Sequence, residues 1–273
     1  GLLQLTRDGG KTWENLTKNL PGLPAGGSVS CIEPSNFEAG TCYVSYRFLY
    51  VGNTQSYIFK TSDYGKTWTK IIGDLPQNQS STVFQIREDP ALKGLLYCGT
   101  DNALYFSPND GKTWQRLRNN LPPVAVYGIA IQKHFGDLVL GTYGRGFYIL
   151  DDLTPIRQFS AEVQKAESHL FSLRPAYRFQ RVLGTHADGD SFSGQNPTYG
   201  ALINYYQKDT LQKTAELLVL SMQGDTLRKL RTVNKAGIQR TNWDLRPEPA
   251  RLPKLRTKPR DKDWVELDKN GER

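Results

Sequence analysis

The sequence predicts an all-β chain in two parts: a partial β-propeller of four-stranded blades, followed by an immunoglobulin/fibronectin-like β-sandwich. Three observations predict it. A turn phrase recurs three times in the first half, at residues 6–13, 61–68 and 107–114. Its spacing of 55 and then 46 residues leaves room for about four strands per repeat. From residue 177 the phrase is gone and apolar residues alternate in short runs, the pattern of a half-buried strand.

The phrase reads TRDGGKTW, TSDYGKTW and SPNDGKTW. In all three copies Leu-Pro follows the Trp at the seventh and eighth positions. Each residue type has turn chemistry. Thr6, Thr61 and Ser107 offer a hydroxyl to nearby backbone N–H groups, and Asp8, Asp63 and Asn109 offer a side-chain oxygen. Gly10, Gly65 and Gly111 supply the positive φ of a tight hairpin. Thr12, Thr67 and Thr113 complete the turn, and Trp13, Trp68 and Trp114 open the next strand as apolar anchors.

Strands are expected at residues 2–5 before the first turn. A first full blade takes 29–33, 42–48, 57–60 and 68–72, and a second takes 83–87, 95–99, 104–106 and 114–117. A last, degenerate blade takes 127–131, 138–141 and 147–150, where the Gly99-Thr100 step recurs as Gly141-Thr142 without Gly-Lys-Thr-Trp after it. The chain begins on what reads as the third strand of a blade, and a closed propeller needs about 4–8 blades. The expectation is therefore a fragment whose upstream blades belong to the same parent chain.

The phrase resembles the Asp-box, or bacterial neuraminidase repeat, over residues 1–152. That repeat occurs in sialidases, xyloglucanases, sortilin-type receptors and photosystem assembly factors. GTYGRGFYILDD at 141–152 looks like the closing blade of large exported bacterial proteins of the sortilin-like and glycosyl-hydrolase-like group. The resemblance implies that the boxes are structural turns on the outer rim. It also implies a secreted, periplasmic or cell-surface location.

Residues 1–159 are thus expected to be the propeller blades, and 160–176 a helical linker with its helix at 161–169 and Ser160 as N-cap. Residues 177–273 are expected to form the sandwich, with strands at 177–183, 201–206, 215–222, 227–233 and 238–244 and a hairpin at Gln223-Gly224-Asp225. The runs at 194–206, 217–230 and 236–246 look like the Ig-like module appended to the same bacterial propellers. A basic insert occupies 247–273.

Charge agrees with that division. The net charge is +8, and residues 225–273 hold 14 Lys and Arg against 8 Asp and Glu, with 21 against 19 elsewhere. No nucleic-acid reading module accompanies the basic stretch. No apolar run approaches the ~20 residues of a membrane helix. The three cysteines sit in apolar, strand-like runs and read as buried thiols, not as a disulfide scaffold.

Catalytic motifs are sparse. Glycoside hydrolysis needs two carboxylates facing one bond, and Glu33, Asp101, Asp137, Asp151 and Asp152 are candidates with nothing in the sequence to bring two together. Pro155-Ile156-Arg157 reverses the Arg-Ile-Pro step of sialidases. His186, Asp188 and Asp190 form a polar loop short of a calcium site, and His134 and His169 lack metal-ligand spacing. No metal and no cofactor is expected. Neither a phosphate loop nor a Gly-x-Ser-x-Gly elbow occurs. Tyr143, Arg145 and Tyr148 in a glycine-spaced loop are the candidates for a ligand face. The expected function is binding of a glycan or peptide on that face. The alternatives are a xyloglucanase-like glycoside hydrolase with most of its carboxylates upstream, and a sortilin-like peptide receptor.

Overall fold

A computed structural model describes residues 1–78, 80–178, 198–210, 215–249, 261–262 and 264–266. The chain divides into two units, Gly1–Gln164 and Lys165–Arg273.

The first unit opens with a hairpin, β1 (Gln4–Leu5) and β2 (Glu14–Asn15). Two four-stranded antiparallel sheets follow. One is β3 (Ser28–Pro34), β4 (Cys42–Phe48), β5 (Asn53–Thr61) and β6 (Thr69–Lys70). The other is β7 (Val83–Glu88), β8 (Leu96–Thr100), β9 (Leu104–Ser107) and β10 (Gln115–Arg116). A three-stranded sheet, β11 (Val126–Gln132), β12 (Asp137–Thr142) and β13 (Phe147–Leu150), comes last. In each sheet every strand pairs with its neighbour in sequence, the order that a propeller blade requires.

Burial on both faces explains the long apolar runs in the middle strands. β4 and β8 are almost continuously buried, since one face packs on the preceding sheet and the other on the next. Leu3, Leu16 and Leu20 pack with Val44, Tyr46, Phe59 and Trp68. Ile58, Ile71 and Leu75 pack with Leu96, Cys98 and Trp114. Leu104 packs with Val126, Ile129, Leu138 and Leu140. The first strands of the sheets line up as well, β7 lying against both β3 and β11.

The three turns close as networks of their own polar groups. In the first, Gly10 N donates to Thr6 Oγ1 (2.8 Å), Thr12 N to Asp8 Oδ1 (2.9 Å) and Thr12 Oγ1 to Asp8 Oδ2 (2.7 Å). The second repeats them: Gly65 N to Thr61 Oγ1 (2.9 Å), Thr67 N to Asp63 Oδ1 (2.9 Å) and Thr67 Oγ1 to Asp63 Oδ2 (2.6 Å). In the third, Gly111 N donates to Ser107 Oγ (2.8 Å) and Thr113 N to Asn109 Oδ1 (2.9 Å). There the last bond runs backwards, because the Asn109 amide nitrogen donates to Thr113 Oγ1 (2.9 Å).

Hydrogen bonds from the Thr12 and Thr67 hydroxyls and amides hold the Asp8 and Asp63 carboxyls at about 2, below the usual 3.8. A depressed carboxylate contributes stability that is present above its unfolded pKa and lost as pH falls through its folded one. The Thr12 and Thr67 amides are therefore expected to lose hydrogen-exchange protection as pH falls from about 4 to about 2, while Thr113, held by an amide oxygen, does not. Asp63→Asn should abolish the pH dependence at Thr67 alone. Equal acid sensitivity at all three threonines would contradict this.

The strands after the tryptophans were expected at 68–72 and 114–117, but each spans two residues and begins one after the Trp. The indole folds back over its own turn, Trp68 Nε1 donating to Gly65 O at 3.0 Å, so Trp68 is not a ladder residue. The ladder then ends early because the chain bends to bury Ile71 and Leu75. Trp13 is 58% exposed, against 8% for Trp68 and 5% for Trp114, so only the latter two anchor a core.

After β13 come two short helices, α1 (Thr154–Gln158) and α2 (Ala161–Lys165). The expected helix at 161–169 is thus cut to five residues. Ser160 Oγ accepts from Val163 N (3.3 Å) at its start. It stops because β14 (Ser168–Leu170) pairs with β15 (Ala201–Gln207), His169 opposite Tyr206. Within the second unit β15 also pairs with the later strand β18 (Gly237–Trp243), in the order β14-β15-β18. Between them β16 (Glu216–Leu220) and β17 (Thr226–Arg231) form a separate hairpin, closed by Asp225 N donating to Ser221 Oγ at 3.1 Å. Of the strand expected at 177–183, Tyr177 and Arg178 are not in a strand, and the rest lies outside the described residues. So do His186, Asp188, Asp190 and most of 247–273.

The thiols of Cys31, Cys42 and Cys98 are free. Cys98 is buried, while Cys31 and Cys42 are partly exposed, and burial pushes the Cys42 thiol up to about 11. No described helix is long and apolar enough to cross a membrane.

Candidate ligand face

An antiparallel meander brings the start of its first strand and the turn between its second and third strands to one end. The Asp and Asn turns lie at the other end. The ligand-face candidates must therefore be sought where β3, β7 and β11 begin.

All three of those strands carry a register shift at the same place: Val29/Cys31, Val83/Gln85 and Val126/Gly128. The residues passed over are Ser30, Phe84 and Tyr127. A bulge takes one residue out of the ladder and re-aims its side chain. Here the two re-aimed rings stack, Phe84 on Tyr127 with centroids 4.0 Å apart and planes 17° from parallel. Tyr143, in the β12–β13 turn, extends the row with its centroid 5.7 Å from that of Tyr127. Exposure grows along it, from 7% at Phe84 to 47% at Tyr127 and 75% at Tyr143. Close approach of β11 to β8 makes the row possible, since a Cβ on Gly99 would lie 2.5 Å from Val126 O.

Polar groups frame the row. Arg145 is exposed and makes no hydrogen bond or ion pair with a described residue. Asp101 sits in the β8–β9 turn, where its N–H donates to Thr82 O at 3.1 Å. Asp101 Oδ1 and Thr82 Oγ1 are buried without a well-formed hydrogen bond, and burial pushes the Asp101 carboxyl upward. At the same end of the first sheet, Gly52, Asn53, Thr54, Gln55, Gln77 and Asn78 line an open polar cavity of about 410 Å³.

The sequence candidates separate on this geometry. Tyr143 and Arg145 lie at the aromatic end. Tyr148 does not join them, because its ring packs against the cluster of Leu104, Leu138 and Leu140 between the second and third sheets. Of the five carboxylates, only Asp101 is at this end. Glu33 is held at the opposite end by Arg87 Nη1 (2.7 Å) and by Glu88 N (3.2 Å), and burial raises its pKa against the pull of Arg87. Asp137 follows the β11–β12 turn and accepts from Asp152 N at 2.9 Å, and Asp151 and Asp152 follow β13, again at the far end. Arg157 is spoken for as well, since its Nε donates to both oxygens of Asp89 (3.1 and 3.0 Å). Phe84 and Tyr127 were missed. The available signal was the repeated Val-x-x-Ile at 29–32, 83–86 and 126–129, whose spacing of three breaks a strand's period of two.

Among the described residues no three His, Cys, Asp or Glu side chains gather into a metal site. The His134 ring packs edge-on against Phe135, and His169 against Phe171.

No protein-family model matches the chain. An oligoxyloglucan-reducing end-specific xyloglucanase of Emericella nidulans is 29% identical over 166 residues, covering 55% of this chain and 19% of that protein. A solved structure of YCF48 bound to D1 peptide is 20% identical, with a TM-score of 0.39 over 56% of this chain and 48% of that one. The GH74 xyloglucanase from Xanthomonas campestris is 16% identical, with a TM-score of 0.38 over 59% of this chain and 27% of that one. The chain thus spans about a fifth of the curated relative and less than half of either structure. These structural neighbours are β-propeller proteins.

Proposed function

We propose that the chain is part of an exported Asp-box propeller that binds a glycan at the aromatic end of its first unit, with the second unit an Ig-like module that braces or spaces it. The observation that carries this is the row Phe84–Tyr127–Tyr143, two rings placed by equivalent bulges on the first strands of successive sheets and a third in the β12–β13 turn, increasingly exposed along its length. Flat rings offer the C–H faces of a pyranose an apolar platform, while nearby amides and charges fix its hydroxyls. Arg145, two residues from Tyr143, and Asp101 in the β8–β9 turn are the charged groups at that end. The likeness to a xyloglucanase supports a xyloglucan-type glycan over a peptide.

Xyloglucan oligosaccharides are expected to bind the 273-residue chain saturably. Tyr127→Ala should weaken binding by about tenfold, equivalent to about 1.4 kcal/mol, and Tyr143→Ala by less. Unchanged affinity in Tyr127→Ala, with the variant folded, would overturn the reading.

Glycoside hydrolysis is the second reading, favoured by Asp101. A carboxyl raised by burial beside a sugar platform is suited to act as a general acid. Its partner carboxylate would come from outside the described residues. Asp101→Asn should then abolish sugar release by the full-length parent while leaving oligosaccharide binding intact.

A further inference from the structure

The turn between the second and third strands is unlike the others in one of the three sheets. The pairs Ser45–Ile58, Gly99–Leu104 and Gly141–Phe147 hold equivalent places in their registers. Beyond them the chain returns through residues 46–57 in the first sheet, but only through 100–103 in the second and 142–146 in the third. The extra length stands at the end of the unit that carries the aromatic row. It includes the 3₁₀ turn Leu49–Val51, where Tyr50 is 92% exposed. Extended turns on a rigid scaffold are where binding groups concentrate.

This turn and residues 77–78 line the open cavity of about 410 Å³, inside the range of about 300–1,000 Å³ for ligand pockets. Four amide side chains line it, each with its oxygen pinned. Asn53 Oδ1 accepts from Gln55 N (3.1 Å) and Gln77 Oε1 from Ser56 N (3.2 Å). Asn78 Oδ1 accepts from Ser80 N (3.0 Å) and Ser81 Oγ (2.8 Å). A backbone N–H can only donate, so it fixes which end of each amide is held. Gln55 Oε1 accepts from Tyr57 Oη (3.3 Å), which itself accepts from Asn53 Nδ2 (3.0 Å). Gln77 Nε2 donates to Leu75 O (3.2 Å). The amide nitrogens of Gln55 and Asn78 make no hydrogen bond with a described residue, and both residues are exposed. No charged side chain lines the cavity. Held donors with no charge beside them suit the hydroxyl and ring oxygens of an uncharged sugar.

The cavity is not beside the aromatic row, but one polar line joins them. Val29 pairs with Tyr46, Val83 with Thr100 and Val126 with Thr142, so Arg47, Asp101 and Tyr143 mark the same step in the three sheets. Arg47 Nε and Asp101 Oδ1 are both buried without a well-formed hydrogen bond. Packed sheets stand about 10 Å apart, which separates the first sheet's cavity from Tyr143 by about 20 Å.

We propose that the cavity is a second sugar subsite, and that the ligand is a glycan chain laid from Tyr143 across Asp101 to the amide nitrogens of Gln55 and Asn78. This subsite presupposes the glycan reading of the aromatic end and adds the length of the chain that the face takes.

Calorimetric titration of the intact chain compares a short xyloglucan oligosaccharide, unable to reach from one sheet to the third, with a long one that can. The long one is expected to bind at least about tenfold tighter, because its second contact forms within the complex. The double change Gln55→Glu with Asn78→Asp keeps the pinned oxygens and removes both outward donors. It should erase that gain and leave affinity for the short oligosaccharide unchanged, which also reports that the variant is folded. Equal affinities for the two oligosaccharides in the unchanged chain, or a gain that survives the double change, would overturn the second subsite and leave the aromatic end a glycan site. Saturable binding of neither oligosaccharide would overturn both.

Discussion

Arg157→Ala is expected to destabilise the first unit by about 3–5 kcal/mol, the range for breaking a buried ion pair. The Asp89 side chain is fully buried, and Arg157, from α1, is its cationic partner. Asp89 also accepts from Ala91 N (2.8 Å), Leu92 N (3.1 Å) and Tyr97 Oη (3.3 Å), so it cannot swing out to solvent without losing the β7–β8 turn. Removing the guanidinium leaves that carboxylate desolvated and uncompensated. The double change Asp89→Asn with Arg157→Met should recover much of the loss, because no charge then remains buried. Chemical denaturation of the three proteins tests this. A single-variant loss below about 1 kcal/mol would place the pair among weak surface bridges.

Gly111→Ala is the second large effect. Gly111 has φ +81°, and a Cβ there would lie 2.8 Å from both Cβ and the carbonyl oxygen of Ile71 in the preceding sheet. The left-handed backbone costs about 1–2 kcal/mol for alanine, and overpacking typically adds about 1–3. The sum is about 3 kcal/mol. Gly65 has φ +80°, but its clash is with the end of the Leu16 side chain, which can turn away, so Gly65→Ala should cost less. Gly10 has φ +93° and only Trp13 within 4 Å, at 3.8 Å, so Gly10→Ala should show the backbone cost alone. Equal losses at the three glycines would mean that turn geometry, not contact between sheets, sets the requirement.

That ordering shows what the repeat could and could not disclose. The three glycines are identical in the phrase, and turn chemistry explains each. The second duty of Gly65 and Gly111, letting the residue three after one tryptophan pack beneath the next turn, depends on the neighbouring sheet. It emerges only when the repeats are stacked. The strand positions of both four-stranded sheets were legible, because alternation and turn residues are local. The lengths of β6 and β10 were not, because the Trp68 indole turns back to Gly65 O and the Trp114 indole reaches Ile71 O of the preceding sheet where a ladder was expected. The helix at 161–169 failed for the same kind of reason: pairing of residues 168–170 with β15 overrides a helix-compatible composition.

The grouping of side chains at the aromatic end was legible in part. Tyr143 and Arg145 stood out by their glycine spacing. Tyr148 has the same neighbours in sequence, but the alternation of a strand turns it to the opposite side, into the core. Phe84 and Tyr127 looked like ordinary strand aromatics. Only the repeated bulge lifts them out of the ladder, and stacking across two strands separated by 43 positions is not a local signal. Asp101 was one of five equal candidates until the sheets assigned each carboxylate to an end.

The most direct measurement is an amide chemical-shift titration of the labelled chain with a xyloglucan oligosaccharide. Saturable shifts are expected at Phe84, Asp101, Tyr127, Tyr143 and Arg145, with Thr12, Thr67 and Thr113 at the opposite end unmoved. Shifts centred on the threonine turns, or none at any accessible concentration, would contradict a glycan face at the aromatic end.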